Sequence, residues 1–127
     1  MIPLVLGGDR RHVGERLARF VVTILDDEQA RRPLTGLVRA AASEPEAALM
    51  VRDLVSREII ARIVEQLDVD DAELRANLVA SQIVGLVMAR HVVAMHPLAD
   101  APAERVVAAI APTLQRYLSG PLSDAAG

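Results

Sequence analysis

Few side chains in this sequence could perform acid–base or nucleophilic chemistry, and they are widely spaced. The three histidines, His12, His91 and His96, fall on different predicted elements, and none belongs to an HExxH or Glu-x-x-His metal motif. The serines and threonines include no G-x-S-x-G nucleophile elbow. The chain has no cysteine, which excludes thiolate nucleophiles and cysteine-ligated metals. We therefore expect no catalytic residue and no enzymatic activity.

Two acidic segments are the places where a metal ion could bind. Asp26, Asp27 and Glu28 are adjacent, and adjacent loop carboxylates do not converge on one hard cation. The segment 68–71 lacks the glycine and the downstream glutamate of an EF-hand loop. The sequence also contains no Walker A loop and no dinucleotide fingerprint. We expect neither a metal site nor a cofactor.

The composition indicates one domain with an aliphatic core. The chain has 127 residues, is 52% hydrophobic and contains a single Phe and a single Tyr. Its net charge is −3, and all 14 basic residues are arginines. This charge and the scarcity of aromatics disfavour nucleic-acid binding by the chain alone. The N-terminal apolar run is too short for a signal peptide, so we expect a cytoplasmic protein.

Apolar residues at three- and four-residue spacing predict five helices and no strand. We expect an all-α, five-helix orthogonal and antiparallel bundle that forms one domain over 1–127. The predicted start signals are Asp9, Pro33 in the first turn of the second helix, Ser43 with Glu46, and Asp70 or Asp71. Two acid-before-base pairs fall on the third helix, namely Asp53 with Arg57 and Glu58 with Arg62. The predicted helices cover approximately 9–25, 32–42, 45–67, 71–95 and 102–118.

The last two helices are apolar on more than one face. Residues 78–95 resemble a membrane span, but Arg90 and three other polar residues interrupt them, so a helix covered on nearly all sides in an assembly is the better interpretation. Gly85 and Ala89, one turn apart, would let another helix approach closely, and a glycine inside a helix costs roughly 1 kcal/mol relative to alanine. Packing against a neighbour within the same subunit is the alternative explanation for Gly85. Two such helices from each of two subunits would form an isologous four-helix interface. One stripe of the fourth helix that would face a partner comprises Leu78, Ser81, Gly85, Met88, Val92 and Met95.

Three segments carry a family resemblance. They read AAASEPEAA at 40–48, LVASQIVGLVMAR at 78–90 and IAPTLQRYL at 110–118. Over about residues 9 to 120 the chain resembles the C-terminal half of TetR/AcrR-type bacterial transcriptional regulators. The resemblance implies an all-helical regulatory domain whose last two helices dimerise and whose remaining helices enclose a pocket for a small, often hydrophobic effector.

The resemblance also implies which residues perform these two tasks. The homodimer contacts would fall on Gln82, Gly85, Ala89, Val107, Leu114 and Leu118. The candidate effector pocket comprises Phe20, Ile24, Leu54, Val55, Ile59, Val87 and His91, although an ordinary core position is an equally good interpretation of each. His91 in particular is either a satisfied core histidine or a polar contact to a bound small molecule.

The chain departs from the family pattern at its N-terminus. A helix-turn-helix that would read operator DNA does not precede the first helix, so DNA would be contacted only through a domain absent from this chain. The chain is then either a fragment of a longer regulator or a headless protein that dimerises with itself or with full-length relatives. A different class of function, a helical protein-interaction module without an effector, also fits the sequence.

Overall fold

The computed structural model describes residues 8–123, and within this range the chain is helical without β-strands. Helix α1 follows a 3₁₀ turn at Arg10–His12, and α5 follows another at Leu98–Asp100. Helices α3 and α4 each contain a π-helical turn. The prediction of an all-α fold with five helices is confirmed, while the predicted domain limits 1 and 127 lie outside the described residues. The helices are α1 (Val13–Asp26), α2 (Glu28–Ala41), α3 (Pro45–Val55, the π-helical turn Ser56–Ile60 and Ala61–Gln66), α4 (Ala72–Leu86 and the π-helical turn Val87–Val92) and α5 (Ala103–Ser119).

The start of α1 agrees with the sequence, but the start of α2 does not. The Asp9 carboxylate accepts a hydrogen bond from the Arg11 backbone N–H at 2.9 Å, as expected of a cap. Helix α2 begins at Glu28, four residues before the predicted start, because the Asp27 carboxylate caps it by accepting from Gln29 N–H at 3.1 Å. Pro33 therefore lies inside α2 and not in its first turn.

Two other helix ends differ from prediction. Glu44, and not Ser43, is the N-cap residue of α3, because Pro45 occupies the first helical position and holds the preceding residue extended. Helix α4 ends at Val92, three residues earlier than predicted. Ala94 adopts a positive φ of 58°, a left-handed conformation of the kind that commonly terminates helices.

Helices α1 and α5 run antiparallel and form the tightest contact described here. An added Cβ at Gly14 would lie 2.6 Å from Gln115 Cα and 2.7 Å from Ala111 O. The Gly14 N–H donates to Gln115 Oε1 at 2.7 Å, and at the other end of the pair Arg19 Nη2 lies 2.8 Å from Glu104 Oε2. Glycine at position 14 is therefore what lets the two backbones approach. The core that these helices share with α3 and α4 includes Val13, Leu17, Val22, Ile63, Leu67, Val79, Val107, Leu114 and Leu118.

Two buried arginines connect α4 to the rest of the bundle. Arg75, in its first turn, donates to the Tyr117 carbonyl at 3.0 Å and pairs with Asp70 at 3.0 Å. Arg90, in its last turn, pairs with Asp26 at 3.2 Å and donates to the carbonyls of Leu98 and Ala101 at 2.8 and 2.9 Å. Buried charges are stable only when they are paired and hydrogen-bonded, and both arginines meet this condition. None of the helices in the described part of the chain is long and apolar enough to cross a membrane.

Candidate functional site

A cavity of about 260 Å³ lies between α1, α2, α3 and α4. Its wall is apolar, and Glu58 is the one ionisable residue that contributes to it. An apolar cavity of this kind excludes strongly hydrated ligands and favours hydrophobic ones. The lining residues are Phe20, Val21, Ile24 and Leu25 of α1, Leu34, Leu37 and Val38 of α2, Val51, Leu54, Val55, Glu58 and Ile59 of α3, and Ala80, Ile83, Val84 and Val87 of α4.

Six of the seven candidate pocket residues lie on this one cavity. Phe20 and Ile24 face it from the flank of the α1 core stripe. Leu54, Val55 and Ile59 face it from α3, and Val87 faces it from the opposite side on α4. The structure therefore brings these six side chains together, while their role in binding an effector stays a prediction.

His91 does not line the cavity. It lies one helical turn beyond Val87, its side chain is 12% exposed, and its Nε2 is buried without a hydrogen-bond partner. Asp26 Oδ1 lies 3.7 Å from His91 Nε2, too far for a hydrogen bond. Burial lowers the pKa of His91, and repulsion from Arg31 and Arg90 adds to this effect against the opposing attraction of Asp26. His91 is thus neither a satisfied core histidine nor a member of the cavity wall.

The contribution of α2 to the cavity is absent from the sequence-based set. Leu34, Leu37 and Val38 follow the i, i+3, i+4 spacing of an amphipathic face, which was the available signal. Val51 of α3 and Ala80, Ile83 and Val84 of α4 are also missing from that set. Periodicity identifies the apolar face of each helix, but it does not show which part of that face borders an empty space.

The charged residues near the cavity on α3 are arranged differently from the two predicted pairs. Asp53 and Arg57 pair as expected, with Arg57 Nε 3.1 Å from Asp53 Oδ2. The expected pair of Glu58 with Arg62 is wrong, because Arg62 Nη1 lies 3.4 Å from Glu65 Oε2 instead. Glu58 belongs to the π-helical turn, in which the residue four positions later no longer lies directly above it. The Glu58 carboxylate forms no hydrogen bond and no ion pair with another of the residues 8–123.

Half of the predicted dimer contacts are located inside the single chain. Val107, Leu114 and Leu118 are only 3%, 1% and 0% exposed, because the apolar stripe of α5 packs on α1 and α4. They have no surface left to offer a second copy, so their assignment to the interface is corrected. The residues of α5 that remain exposed are Glu104, Arg105, Ala108, Ala109, Pro112 and Arg116.

The other half of the predicted contacts stays uncovered. Gly85 is exposed, and a Cβ placed on it would meet nothing within 4 Å. Gln82 and Ala89 are half-buried on the same side of α4. The explanation that Gly85 packs against a neighbour within its own subunit is therefore wrong. We call this uncovered side the α4 outer face and define it by Leu78, Ser81, Gln82, Gly85, Met88 and Ala89.

The acidic residues of the described part of the chain are not arranged as a metal site. Between residues 8 and 123 no group of three or more histidine, aspartate or glutamate side chains is placed so as to hold a metal ion. Asp26 forms an ion pair with Arg90, Asp27 caps α2, and Glu28 forms an ion pair with Arg32 at 2.9 Å, so all three adjacent acids have structural partners.

Comparison with known proteins identifies the family. No curated protein and no solved structure shows significant similarity to the chain. Residues 12–118 match the family described as tetracyclin repressor-like, C-terminal domain, and this match covers all five helices except the last residue of α5. Members of the family are, in general, regulatory domains that bind ligands and dimerise. The chain therefore belongs to the tetracyclin repressor-like C-terminal domain family of transcriptional regulators.

Proposed function

We propose that this chain is the ligand-sensing and dimerisation domain of a TetR-like transcriptional regulator. Its ligand is a small hydrophobic molecule that occupies the cavity between α1, α2, α3 and α4. The observation that carries the proposal is the apolar cavity itself, which sixteen residues from four helices line. Small-molecule sites are typically concave and mostly apolar, and this cavity of about 260 Å³ has both properties.

The dimer is the second part of the proposal. A second copy of the chain packs on the α4 outer face, where Gly85 permits close approach of another helix. The exposed small residues of α5, Ala108, Ala109 and Pro112, would extend this surface. Contact with DNA is proposed only through a separate helix-turn-helix domain, and the site of action is the cytoplasm.

Ligand binding can be tested with a variant whose larger side chain fills the cavity from α4. Ala80 is half-buried and lines the cavity, whereas Ala61 is exposed on α3. We expect straight-chain alcohols to stabilise the wild type, by about 2.7 kcal/mol at a free concentration of 100 times the Kd, because a ligand that binds only the folded state shifts the unfolding equilibrium. Differential scanning calorimetry in the presence of 1-octanol and 1-decanol measures this shift.

Matched variants tie the effect to the cavity. Ala80→Phe places an aromatic ring in the cavity and should abolish the alcohol-dependent shift, while Ala61→Phe adds the same ring outside the cavity and should preserve it. If no alcohol stabilises the wild type, the effector-free interaction module becomes the better account of the chain. If Ala61→Phe loses the shift as completely as Ala80→Phe, the alcohols bind elsewhere.

A further inference from the structure

The polarity of the cavity specifies more about its ligand than hydrophobicity alone. Fifteen of the sixteen lining residues are aliphatic or aromatic, and Glu58 is the exception. Glu58 is half-buried, and it is the one charged residue of the lining that a ligand in the cavity could meet. A ligand that used this carboxylate would therefore have an apolar body and one polar end.

The charges next to Glu58 leave its carboxylate uncompensated. Arg57, the preceding residue, pairs with Asp53, and Arg62, one turn later, pairs with Glu65. The π-helical turn Ser56–Ile60 separates Glu58 from Arg62, and no ion pair joins the Glu58 carboxylate to a basic side chain among residues 8–123. A negative charge without an ion-pair partner next to an apolar cavity attracts a positive charge and repels a negative one.

The size of the cavity sets the length of the apolar part. A cavity of about 150 Å³ holds benzene. The present cavity of about 260 Å³ is larger and opens to solvent, so it suits an alkyl chain of roughly eight to twelve carbons whose end remains hydrated. An ammonium group kept at the rim avoids the cost of burying a charge in an apolar interior.

We propose that the ligand of this cavity is a cationic amphiphile, an amine with a medium-length alkyl chain that fills the cavity while its ammonium group pairs with Glu58 at the rim. This inference rests on the proposed ligand-binding function of the cavity. It adds that the ligand carries a positive charge, and it identifies Glu58 as the residue that selects for this charge.

The test compares three probes that differ only in their polar end. Isothermal titration calorimetry at pH 7 and low ionic strength, below the micellar range of each probe, measures the affinity of n-decylamine, 1-decanol and decanoate for the full chain. We expect the amine to bind about two- to fivefold more tightly than the alcohol, as for an exposed ion pair, and decanoate to bind more weakly than the alcohol. Added salt should reduce both differences.

Variants of two glutamates on the same helix assign the effect. Affinities are expressed relative to decanol in the same variant, so that a general change in the cavity cancels. Glu58→Gln should remove the preference for the amine and Glu58→Lys should reverse it in favour of decanoate. Glu46→Gln makes the same change of net charge at an exposed position that does not line the cavity, and it should retain the preference.

The outcomes separate this inference from the function on which it rests. Binding of decanol without any preference for the amine, or a preference that survives Glu58→Gln, would overturn the assignment of a cationic ligand and leave the hydrophobic cavity as a binding site. Failure of all three probes to bind would remove the proposed function as well.

Discussion

At the scale of single residues, the absence of a side chain at Gly14 allows α1 and α5 to pack closely. The added Cβ of an alanine would lie 2.6 Å from Gln115 Cα, which is backbone and cannot rotate away. Moving the two helices apart to relieve this clash would also disturb the hydrogen bond from Gly14 N–H to Gln115 Oε1. We expect Gly14→Ala to reduce the free energy of unfolding by about 1–3 kcal/mol, the usual cost of overpacking.

The matched control for this prediction is Gly36. It lies exposed on α2, and a Cβ there would meet nothing within 4 Å. Gly36→Ala should therefore stabilise the chain by up to about 1 kcal/mol through helix propensity. Urea denaturation measures both changes. A Gly14→Ala variant as stable as Gly36→Ala would mean that α1 and α5 do not approach as closely as described.

His91 makes a second prediction at this scale, on the dependence of stability on pH. Its folded pKa is lowered, from an ordinary value of about 6.5, chiefly by burial. On acidification the unfolded chain binds a proton at this position before the folded chain does. The free energy of unfolding should therefore be greatest above about pH 6.5 and fall as the pH drops from there towards the folded pKa.

Replacing the imidazole tests this dependence directly. His91→Gln should show a smaller loss of stability between about pH 7 and pH 5.5 than the wild type, measured by chemical denaturation at each pH. Equal losses in the two proteins would show that His91 does not contribute to the pH dependence. An NMR titration of the His91 ring in the folded protein would locate its pKa independently.

Individual residues also show what periodicity can and cannot predict. Phe20 and Ile24 were predicted to line a pocket, and they do lie on the cavity, because residues on the flank of a core stripe border whatever lies beside the core. Val107 and Leu114 lie on an equally apolar stripe, yet they pack within the chain. An apolar stripe identifies a buried face, but it does not show whether a helix of the same chain or of a second copy covers that face. Here α1 covers the stripe of α5, because Gly14 lets the two helices approach closely.

At the scale of elements, α3 and α4 differ from ideal helices at the cavity. The π-helical turn of α3 contributes Glu58 and Ile59 to the lining, and the π-helical turn of α4 contributes Val87 and holds His91. Such turns occur often at functional sites, because they rotate side chains away from their α-helical positions. The sequence predicted both helices as continuous units but not these turns, since the apolar spacing hardly changes when one residue is added to a turn.

The acidic junction between α1 and α2 shows the same limit for helix boundaries. Three adjacent acids predicted a break, and the break is present, but it is a single residue long. Asp26 remains in α1 and pairs with Arg90, while Asp27 caps α2. The role of Asp26 depends on a partner that is distant in sequence, because Asp26 and Arg90 are 64 positions apart.

At the scale of the whole molecule, α4 separates two surfaces of different kinds. Ala80, Ile83, Val84 and Val87 face the cavity, and the α4 outer face is uncovered. Arg75 fixes the start of this helix to α5, and Arg90 fixes its end to α1. A ligand in the cavity would therefore press on a helix that is held at both ends and exposed along its outer side, where the proposed partner packs.

The proposed dimer makes the last prediction, and it depends on Gly85. Within one chain a Cβ at Gly85 meets nothing within 4 Å, and the same is true of Gly36. If no second copy covers either position, alanine should therefore have the same effect on stability at both. If a second copy packs closely on the α4 outer face, Gly85→Ala should weaken the dimer several-fold and Gly85→Arg should yield monomers, whereas Gly36→Ala should leave the dimer unchanged. Light scattering over a range of concentrations measures each state. A monomeric wild type at every concentration would contradict the dimer, and a dimer that survives Gly85→Arg would place its interface on another surface, because an arginine side chain cannot fit where two helices touch.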